Sequence, residues 1–184
     1  MHRRGAYHPA AAIMPSMGAT RWGPSVTVAA VMARDDGRYL LIEEQTPEGL
    51  RLNNPAGHLE PGETPAQGCA REAQEESAYA FTPTALVGVY LARFVRQLPH
   101  QAAQDITYVR FAFDGQVGAH NPQQALDEGI VASHWMTLDE VRASAARHRS
   151  PLVLRCIEDH ANGQRLPLAA VSVDPSVWQL GALR

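Results

Sequence analysis

Cysteine is scarce in this chain. The two cysteines, Cys69 and Cys156, lie far apart and form no metal-ligand spacing, which argues against a disulfide framework. No apolar run is long enough to cross a membrane. Neither charge dominates, because 16 basic residues face 19 acidic ones and the net charge is −3. We therefore expect reduced thiols, a cytoplasmic location, and neither a membrane nor a nucleic-acid polymer as partner.

The chain of 184 residues is long enough to bury a core and is most simply one domain. Residues 1–23 start with basic side chains and continue with an alanine-rich stretch broken by Pro15 and Gly18, so we interpret them as a flexible arm. The orderly pattern covers residues 24–168, and residues 169–184 are left as a C-terminal tail.

Strand and helix patterns alternate along the folded part. Two strands at 25–34 and 38–44 flank the turn 35–37 and predict a hairpin, and residues 45–51 predict a loop. A helix at 64–77 comes next. It is followed by strands at 82–95, 104–115 and 130–136, and then by a helix from 137 to about 147 and a helix from about 151 to 162. This order predicts an α/β fold, a mixed sheet covered by helices in an α/β/α sandwich.

The helix at 64–77 carries an unusual concentration of negative charge. Glu72, Glu75 and Glu76 share one helix face because they are three or four residues apart, and Arg71 can neutralise only part of their charge. A hard divalent cation prefers such carboxylate oxygens, so this face is a candidate site for Mg²⁺ or Mn²⁺. The alternative interpretation of such a run is a solvated helix face.

The spacing of these residues decides against the solvated face. Gly57, Glu63, Arg71-Glu72, Ala73 and Glu75-Glu76 resemble the Nudix box, the signature loop and helix of Nudix hydrolases. The sequence departs from the box at its end, where Ala78 and Tyr79 stand in place of a glycine and an aliphatic residue. That glycine serves to end a helix, so its replacement removes no metal ligand.

The resemblance to Nudix hydrolases implies both a fold and a metal site. The fold would be the Nudix α/β/α sandwich. The metal ligands would be Glu72, Glu75 and Glu76, with the Gly57 carbonyl as a further ligand. Glu63 would assist through water or by pairing with Arg71, and Arg71 would orient the carboxylates.

The general base is implied to lie outside the box, on the loop before the strand that contains Trp135. Glu128 is the first candidate on that loop and Asp127 the second. The competing interpretation is that these are solvated loop acids, in which case Glu75 or Glu76 would also serve as the base.

Substrate-binding candidates lie on the predicted strands and in the box loop. Tyr108 and Arg110 fall on one face of strand 104–115, opposite Val109, Phe111 and Phe113. With Arg93 and His58 they would suit a phosphate ester that carries a ring. The alternatives are a packed tyrosine, an arginine that reaches solvent and a surface histidine.

The likeness extends over residues 24–168 and is strongest to one Nudix subgroup, the NudJ-type phosphatases. It implies hydrolysis of a small phosphoanhydride, either a thiamin-pathway pyrophosphate or a nucleoside di- or triphosphate, by a monomer or a homodimer. Leu52 stands where that subgroup carries a tryptophan, so a ring-stacking surface would be missing or moved. Two other functions stay open: a pyrophosphatase that releases pyrophosphate from a nucleoside triphosphate, and a module that binds a nucleotide without hydrolysing it.

Overall fold

A computed structural model describes residues 22–96 and 103–179 of the protein. The predicted N-terminal arm therefore lies almost entirely outside the described residues, as do the last five residues of the predicted tail. Within the described ranges, no helix is long and apolar enough to cross a membrane.

Two β-sheets and three α-helices make up most of the described chain. The strands are β1 Ser25–Val31, β2 Arg38–Thr46, β3 Gly49–Asn53, β4 Ala56–His58, β5 Tyr79–Arg96, β6 Gln104–His120, β7 Ile130–Thr137 and β8 Leu166–Pro167. The helices are α1 Pro65–Ser77, α2 Leu138–Ala143 and α3 Leu152–Ala161. The larger sheet has the order β4-β1-β6-β5-β8 and the smaller one the order β3-β2-β7. Because β1 pairs with β6 in parallel and with β4 in antiparallel orientation, the larger sheet is mixed, as predicted.

Strand β1 lies at the centre of the core and is covered on both faces. Val28 and Ala30 pack in one apolar cluster with Cys69 and Ala73 of α1. The alternate residues Ala29 and Val31 pack in a second cluster with Val153 and Ile157 of α3. With a helix on each face of the sheet, the predicted α/β/α sandwich is confirmed.

The predicted hairpin between residues 25–34 and 38–44 forms only next to its turn. Ala33 and Tyr39 form an antiparallel bridge there, and Leu40 N donates to Met32 O at 2.9 Å, but β1 and β2 then belong to different sheets. The predicted loop 45–51 is wrong, because β3 starts at Gly49 and pairs antiparallel with β2. Strands β1 and β2 are buried on both faces over much of their length, so neither shows a one-sided hydrophobic pattern from which its partners could be predicted.

The left-handed residue at the end of α1 accounts for the departure from the Nudix box. Ala78 has φ 59° and ψ 12° and donates its N–H to Gln74 O, which is the conformation that a C-terminal glycine usually supplies. The neighbouring Tyr79 packs edge-on against Trp135, with ring centroids 5.7 Å apart. Trp135 is half-buried against the apolar cluster under α1.

Candidate metal and substrate site

Helix α1 begins with a capping box. Thr64 Oγ1 accepts from Gln67 N at 3.1 Å, and Gln67 Oε1 accepts from Thr64 N at 2.9 Å. Pro65 occupies the first helical position, where its missing N–H costs nothing. The capping box fixes the residue at which the helix begins, and therefore which of its side chains share the acidic face.

Arg71 ties the acidic residues together. Its guanidinium donates to both oxygens of Glu63 at 3.1 and 2.8 Å, to Glu72 at 2.7 Å and to Glu75 at 2.9 Å. It also donates to the carbonyl of His58 at 3.1 Å, which joins the helix to β4. The hydrogen bonds that Arg71 donates to Glu63 are the largest cause of its raised pKa, so Arg71 remains a cation. Only the planar fork of an arginine can meet this many acceptors at once.

Glu63 lies beside Arg71 and Gly68 rather than among the clustered metal-ligand candidates. Burial acts to raise the pKa of Glu63, but hydrogen bonds from Arg71 and from Glu60 N outweigh it and the pKa is lowered. A side chain at Gly68 would collide with this carboxylate, since a Cβ there would lie 2.5 Å from Glu63 Oε1. Of the two roles predicted for Glu63, the observed contacts are those of a partner for Arg71.

Gly57 allows the closest approach in the site. A Cβ built at this residue would lie 2.1 Å from Glu72 Oε1, so only glycine leaves room for the Glu72 carboxylate against β4. Glu72 is buried, and this burial raises its pKa against the opposing effect of Arg71. The sequence pattern of a glycine followed by the acidic helix thus has a direct steric cause.

Three carboxylates converge next to Gly57. Ligand oxygens of Glu72, Glu75 and Asp127 all lie within 4.8 Å of one another. Carboxylate oxygens gathered in this way suit a hard divalent cation. The residues present are therefore compatible with the divalent metal that the resemblance implied.

Glu76 lies just behind this cluster in a drier position. Its Oε2 accepts from Ala56 N at 2.7 Å. Burial raises the pKa of Glu76 to about 8, and the negative charges of Glu72, Glu44 and Asp127 add to the effect. Such a carboxylate needs a cation nearby to become charged at neutral pH.

The loop before β7 brings Asp127, the second candidate for the base, to the cluster. Asp127 N donates to Glu75 O at 3.1 Å, and Ile130 N donates to Asp127 O at 3.1 Å. Glu128, the first candidate, is exposed and does not belong to the cluster of described carboxylates. Neighbouring residues of a loop point in different directions, so the sequence could name the loop but not the side chain.

A cavity of about 430 Å³ opens beside Gly57 on the α3 side of the larger sheet. Its apolar wall includes Phe94, Ile106 and Tyr108, and the rings of Phe94 and Tyr108 meet edge-on with centroids 5.9 Å apart. His58 stands at the mouth with its ring centroid 6.5 Å from that of Tyr108. Three of the four predicted substrate residues, His58, Tyr108 and Arg110, line this one cavity.

Arg110 is a buried cation in the wall of this cavity. It is 8% exposed, and its Nε and Nη1 have no hydrogen-bond partner among the residues that the structure describes. Burial lowers the pKa of Arg110, against the opposing effects of Cys156, Glu76 and Glu44. The alternative that Arg110 reaches into solvent therefore does not apply. Two buried N–H groups without acceptors in a cavity wall indicate that a ligand supplies the acceptors.

The cavity does not include Arg93, the fourth predicted substrate residue. Arg93 is exposed and makes a two-pronged ion pair with Asp105, at 2.7 and 2.6 Å. Along β5 the side chains alternate, so Phe94 faces the cavity and Arg93 faces away. Phe94 pairs with Ile106 across the strands, and the alternation on the β6 side could have identified it.

Two further polar residues that line the cavity, Glu44 and Asn53, were not predicted from the sequence as substrate-binding candidates. They lie on β2 and β3, and β3 falls largely in the stretch that was predicted as a loop. Leu52, between Arg51 and Asn53, points into the apolar core and is 1% exposed. The aromatic side chains of the cavity wall are therefore those of Phe94 and Tyr108, and position 52 contributes none.

Comparison with known proteins agrees with this geometry. The family model described as NUDIX domain matches residues 23–156, most of the chain. The chain belongs to the Nudix family. A NUDIX hydrolase from Nitrosomonas europaea is 45% identical, with a TM-score of 0.72 over 83% of this chain and 98% of that one. The predictions of a Nudix fold and of a Nudix phosphohydrolase are confirmed.

Two other Nudix relatives define the range of similarity. Phosphatase NudJ from Escherichia coli (strain K12) is 33% identical over 148 residues, which cover 80% of this chain and 90% of NudJ. A MutT NUDIX hydrolase from Burkholderia pseudomallei is 21% identical, with a TM-score of 0.58 over 75% of this chain and 98% of that one, and it shares the fold. The predicted likeness to NudJ-type phosphatases is confirmed.

Proposed function

We propose that this Nudix enzyme uses a divalent metal to hydrolyse a phosphoric anhydride in a small di- or triphosphate that carries a ring. The observation that carries the proposal is the cluster of Glu72, Glu75 and Asp127 next to Gly57, which itself lines the cavity. The reacting phosphates would lie at the cluster and the ring in the cavity.

Glu72, Glu75 and Asp127 would hold the metal, with Glu76 and the Gly57 carbonyl as further ligands. Mg²⁺ is the ion we expect, and Mn²⁺ would substitute. A bound divalent cation neutralises phosphate oxygens and lowers the pKa of the attacking water. Arg71 keeps the carboxylates of Glu72 and Glu75 in place through the hydrogen bonds described above, so its contribution is to orient the ligands.

A carboxylate of the loop before β7 would take the proton of the attacking water. Glu128 was the first candidate from the sequence, but Asp127 lies with Glu72 and Glu75 and Glu128 does not. We therefore assign the base to Asp127, which would share its two oxygens between the metal and the water.

The cavity would bind the rest of the substrate. Tyr108 and Phe94 offer faces and edges on which a planar ring can pack. Arg110 offers buried donors for acceptor atoms of the substrate, and His58 at the mouth is close to the phosphate end. Thiamin-pathway pyrophosphates and nucleoside di- or triphosphates both meet this description.

The test is product analysis over a small panel: hydroxymethylpyrimidine diphosphate, thiamin diphosphate, and nucleoside di- and triphosphates. Orthophosphate and pyrophosphate are measured separately, with Mg²⁺ and after chelation. We expect orthophosphate, in keeping with the name phosphatase given to the 33% identical relative. Pyrophosphate from a nucleoside triphosphate would instead support the nucleotide pyrophosphatase.

A variant at the metal cluster separates an enzyme from a binding module. Glu75→Gln keeps the shape of the side chain but removes a charged ligand, so turnover should fall by at least about 100-fold, more than is typical when a residue that only supports a ligand is changed. The melting temperature serves as the control for folding. Unchanged turnover in this variant, or activity that survives chelation, would contradict the metal mechanism.

Location and assembly complete the proposal. Cys69 and Cys156 are both buried and free, in keeping with a reducing compartment, and we place the enzyme in the cytoplasm. Light scattering after size-exclusion chromatography would distinguish the monomer from the homodimer.

A further inference from the structure

Two hydrogen-bond acceptors lie buried and unused in the wall of the cavity. Glu44 Oε1 and Asn53 Oδ1 are shielded from water, and neither has a hydrogen-bond donor among the described residues. Both side chains line the cavity, and Asn53 is only 6% exposed. A buried acceptor without a donor costs about 1–3 kcal/mol, so two side by side indicate a site whose donor is supplied by a ligand.

Neighbouring cations act to keep Glu44 charged, and therefore an acceptor, although burial outweighs them. Burial raises the pKa of Glu44, while Arg149, a hydrogen bond from Asn53 and the charge of Arg110 oppose this rise. Arg149 Nε lies 3.6 Å from Glu44 Oε1, beyond normal hydrogen-bond distance, so it attracts the carboxylate without occupying its lone pairs. Asn53 Oδ1 has no donor among the described residues, so it is left free for a ligand in the cavity that Asn53 lines.

The remaining walls define what kind of donor fits. Phe94 and Tyr108 suit a flat ring, and the Nε and Nη1 groups of Arg110 need acceptors. A ring that carries an amino group next to a ring nitrogen or a carbonyl offers a flat surface, N–H donors and a hydrogen-bond acceptor. Its two N–H bonds match the two free acceptors, and its neighbouring lone pair faces the cation.

We propose that the cavity recognises an amino-bearing nitrogen heterocycle, with Glu44 and Asn53 as the acceptors for its amino group. A carbonyl at the same ring position would set a third acceptor against these two, so the oxo analogue binds less well. This inference rests on the proposed function, in which the ring of the phosphate ester occupies the cavity. Glu44 and Asn53 are thus the residues that determine ring specificity.

Matched nucleotides test the proposal without any hydrolysis. Isothermal titration calorimetry on the full chain in EDTA compares cytidine with uridine monophosphate and adenosine with inosine monophosphate. Within each pair the phosphate and sugar are the same, so the difference reports the ring alone. We expect the amino member of at least one pair to bind about tenfold more tightly or better, the usual effect of one unmatched buried hydrogen bond.

Two glutamine variants on the same strand identify the group responsible. Glu44→Gln keeps the size of the side chain but places a donor amide in the cavity, so the preference should fall to within about threefold. Glu43→Gln is the matched control, because Glu43 is not part of the cavity wall and pairs with Arg147 and His134. It should keep the full preference of the unmodified chain.

Equal binding within both pairs, or no binding of any of the four compounds at millimolar concentration, would overturn the inference. So would a preference that survives Glu44→Gln. These outcomes are separate from the hydrolysis panel: turnover with equal use of amino and oxo rings leaves the enzyme proposal intact and refutes ring recognition. Selective binding without turnover of any panel compound refutes the hydrolysis proposal alone.

Discussion

At the scale of single residues, Arg71 is the side chain on which the geometry of the acidic site depends most. It contacts Glu63, Glu72 and Glu75 through four hydrogen bonds, and Glu63 and Glu72 are largely withdrawn from water. Removing the fork leaves buried carboxylates that repel one another, which costs much more than the loss of a surface ion pair.

Arg71→Lys should therefore be a severe change although it keeps the charge. A lysine is a point charge and can satisfy only some of these acceptors. We expect metal affinity and kcat/KM to fall by about 10–100-fold. Titration with Mn²⁺ followed by electron paramagnetic resonance measures the affinity apart from turnover. Arg93→Lys is the control, since Arg93 pairs with Asp105 outside the cavity. A full-affinity Arg71→Lys protein would show that the fork has no orienting role.

The loop before β7 supplies a second comparison between single residues. Asp127 belongs to the carboxylate cluster and its neighbour Glu128 does not. Asp127→Asn should lower kcat by about 10²–10⁴-fold, because a general base contributes on that order. Glu128→Gln should leave kcat nearly unchanged. The reverse pattern would return the role to Glu128.

At the scale of elements, the end of α1 carries the departure from the Nudix box. Ala78 is in the left-handed region at φ 59° and is buried. Its methyl group gains burial but costs backbone strain, each worth roughly 1 kcal/mol. The two effects nearly cancel, which explains how the chain does without the glycine.

Ala78→Gly should consequently change the free energy of unfolding by less than about 1 kcal/mol. Ala78→Val should lower it by about 1–3 kcal/mol, because a β-branched residue is strongly disfavoured in this conformation. Urea denaturation of the two variants beside the unmodified protein measures both effects. Should valine be tolerated as well as glycine, the helix end would not be held in the left-handed conformation in solution.

The same scale shows how far elements follow from local pattern. The starts of α1 and α2 agree with the predicted helices at 64–77 and from 137, because each start is fixed by a capping box, a contact between residues three apart. The second helix ends at Ala143, and residues 145–147 continue as a 3₁₀ turn. The predicted pairing of residues 25–34 with 38–44 holds only beside the turn, since the partners of β1 and β2 depend on contacts far apart in sequence.

At the scale of the whole molecule, a buried polar network connects the smaller sheet, the larger sheet and α3. His160 Nδ1 is 3.1 Å from Tyr39 Oη, and His160 Nε2 is 3.0 Å from Asp114 Oδ1. Arg165 also pairs with Asp114. Burial lowers the pKa of His160, and the charge of Arg165 lowers it further, against the opposing effect of Asp114.

This network predicts how stability depends on pH. The pKa of His160 is lower in the folded chain than its ordinary value of about 6.5, so below that pH the unfolded chain takes up a proton that the folded chain does not. The His160 contribution is complete above about pH 6.5 and declines as the pH falls towards the folded pKa.

Urea denaturation at pH 8 and pH 5.5 of the unmodified protein and of His160→Gln checks this dependence. The variant should be less stable at pH 8, because hydrogen bonds to Tyr39 and Asp114 are lost. It should also lose less stability than the unmodified chain when the pH is lowered. Equal losses in the two proteins would mean that His160 titrates alike in the folded and unfolded states.

What the sequence by itself determined is local or belongs to a spaced motif. The acidic face of α1 and membership of the Nudix family follow from residues within about 20 positions of one another, where spacing and geometry are nearly equivalent. The alternation on β6 likewise placed Tyr108 and Arg110 on one face.

Only the tertiary structure decided which distant residues meet. It brought Asp127, and not Glu128, to the cluster, and it placed Phe94, Glu44 and Asn53 around one cavity while Arg93 faced away. Strand register sets such encounters, and register depends on the packing of two faces at once rather than on any local pattern. Residues that are neighbours in the sequence therefore lie in different environments in the fold, and the composition of the site depends on long-range contacts.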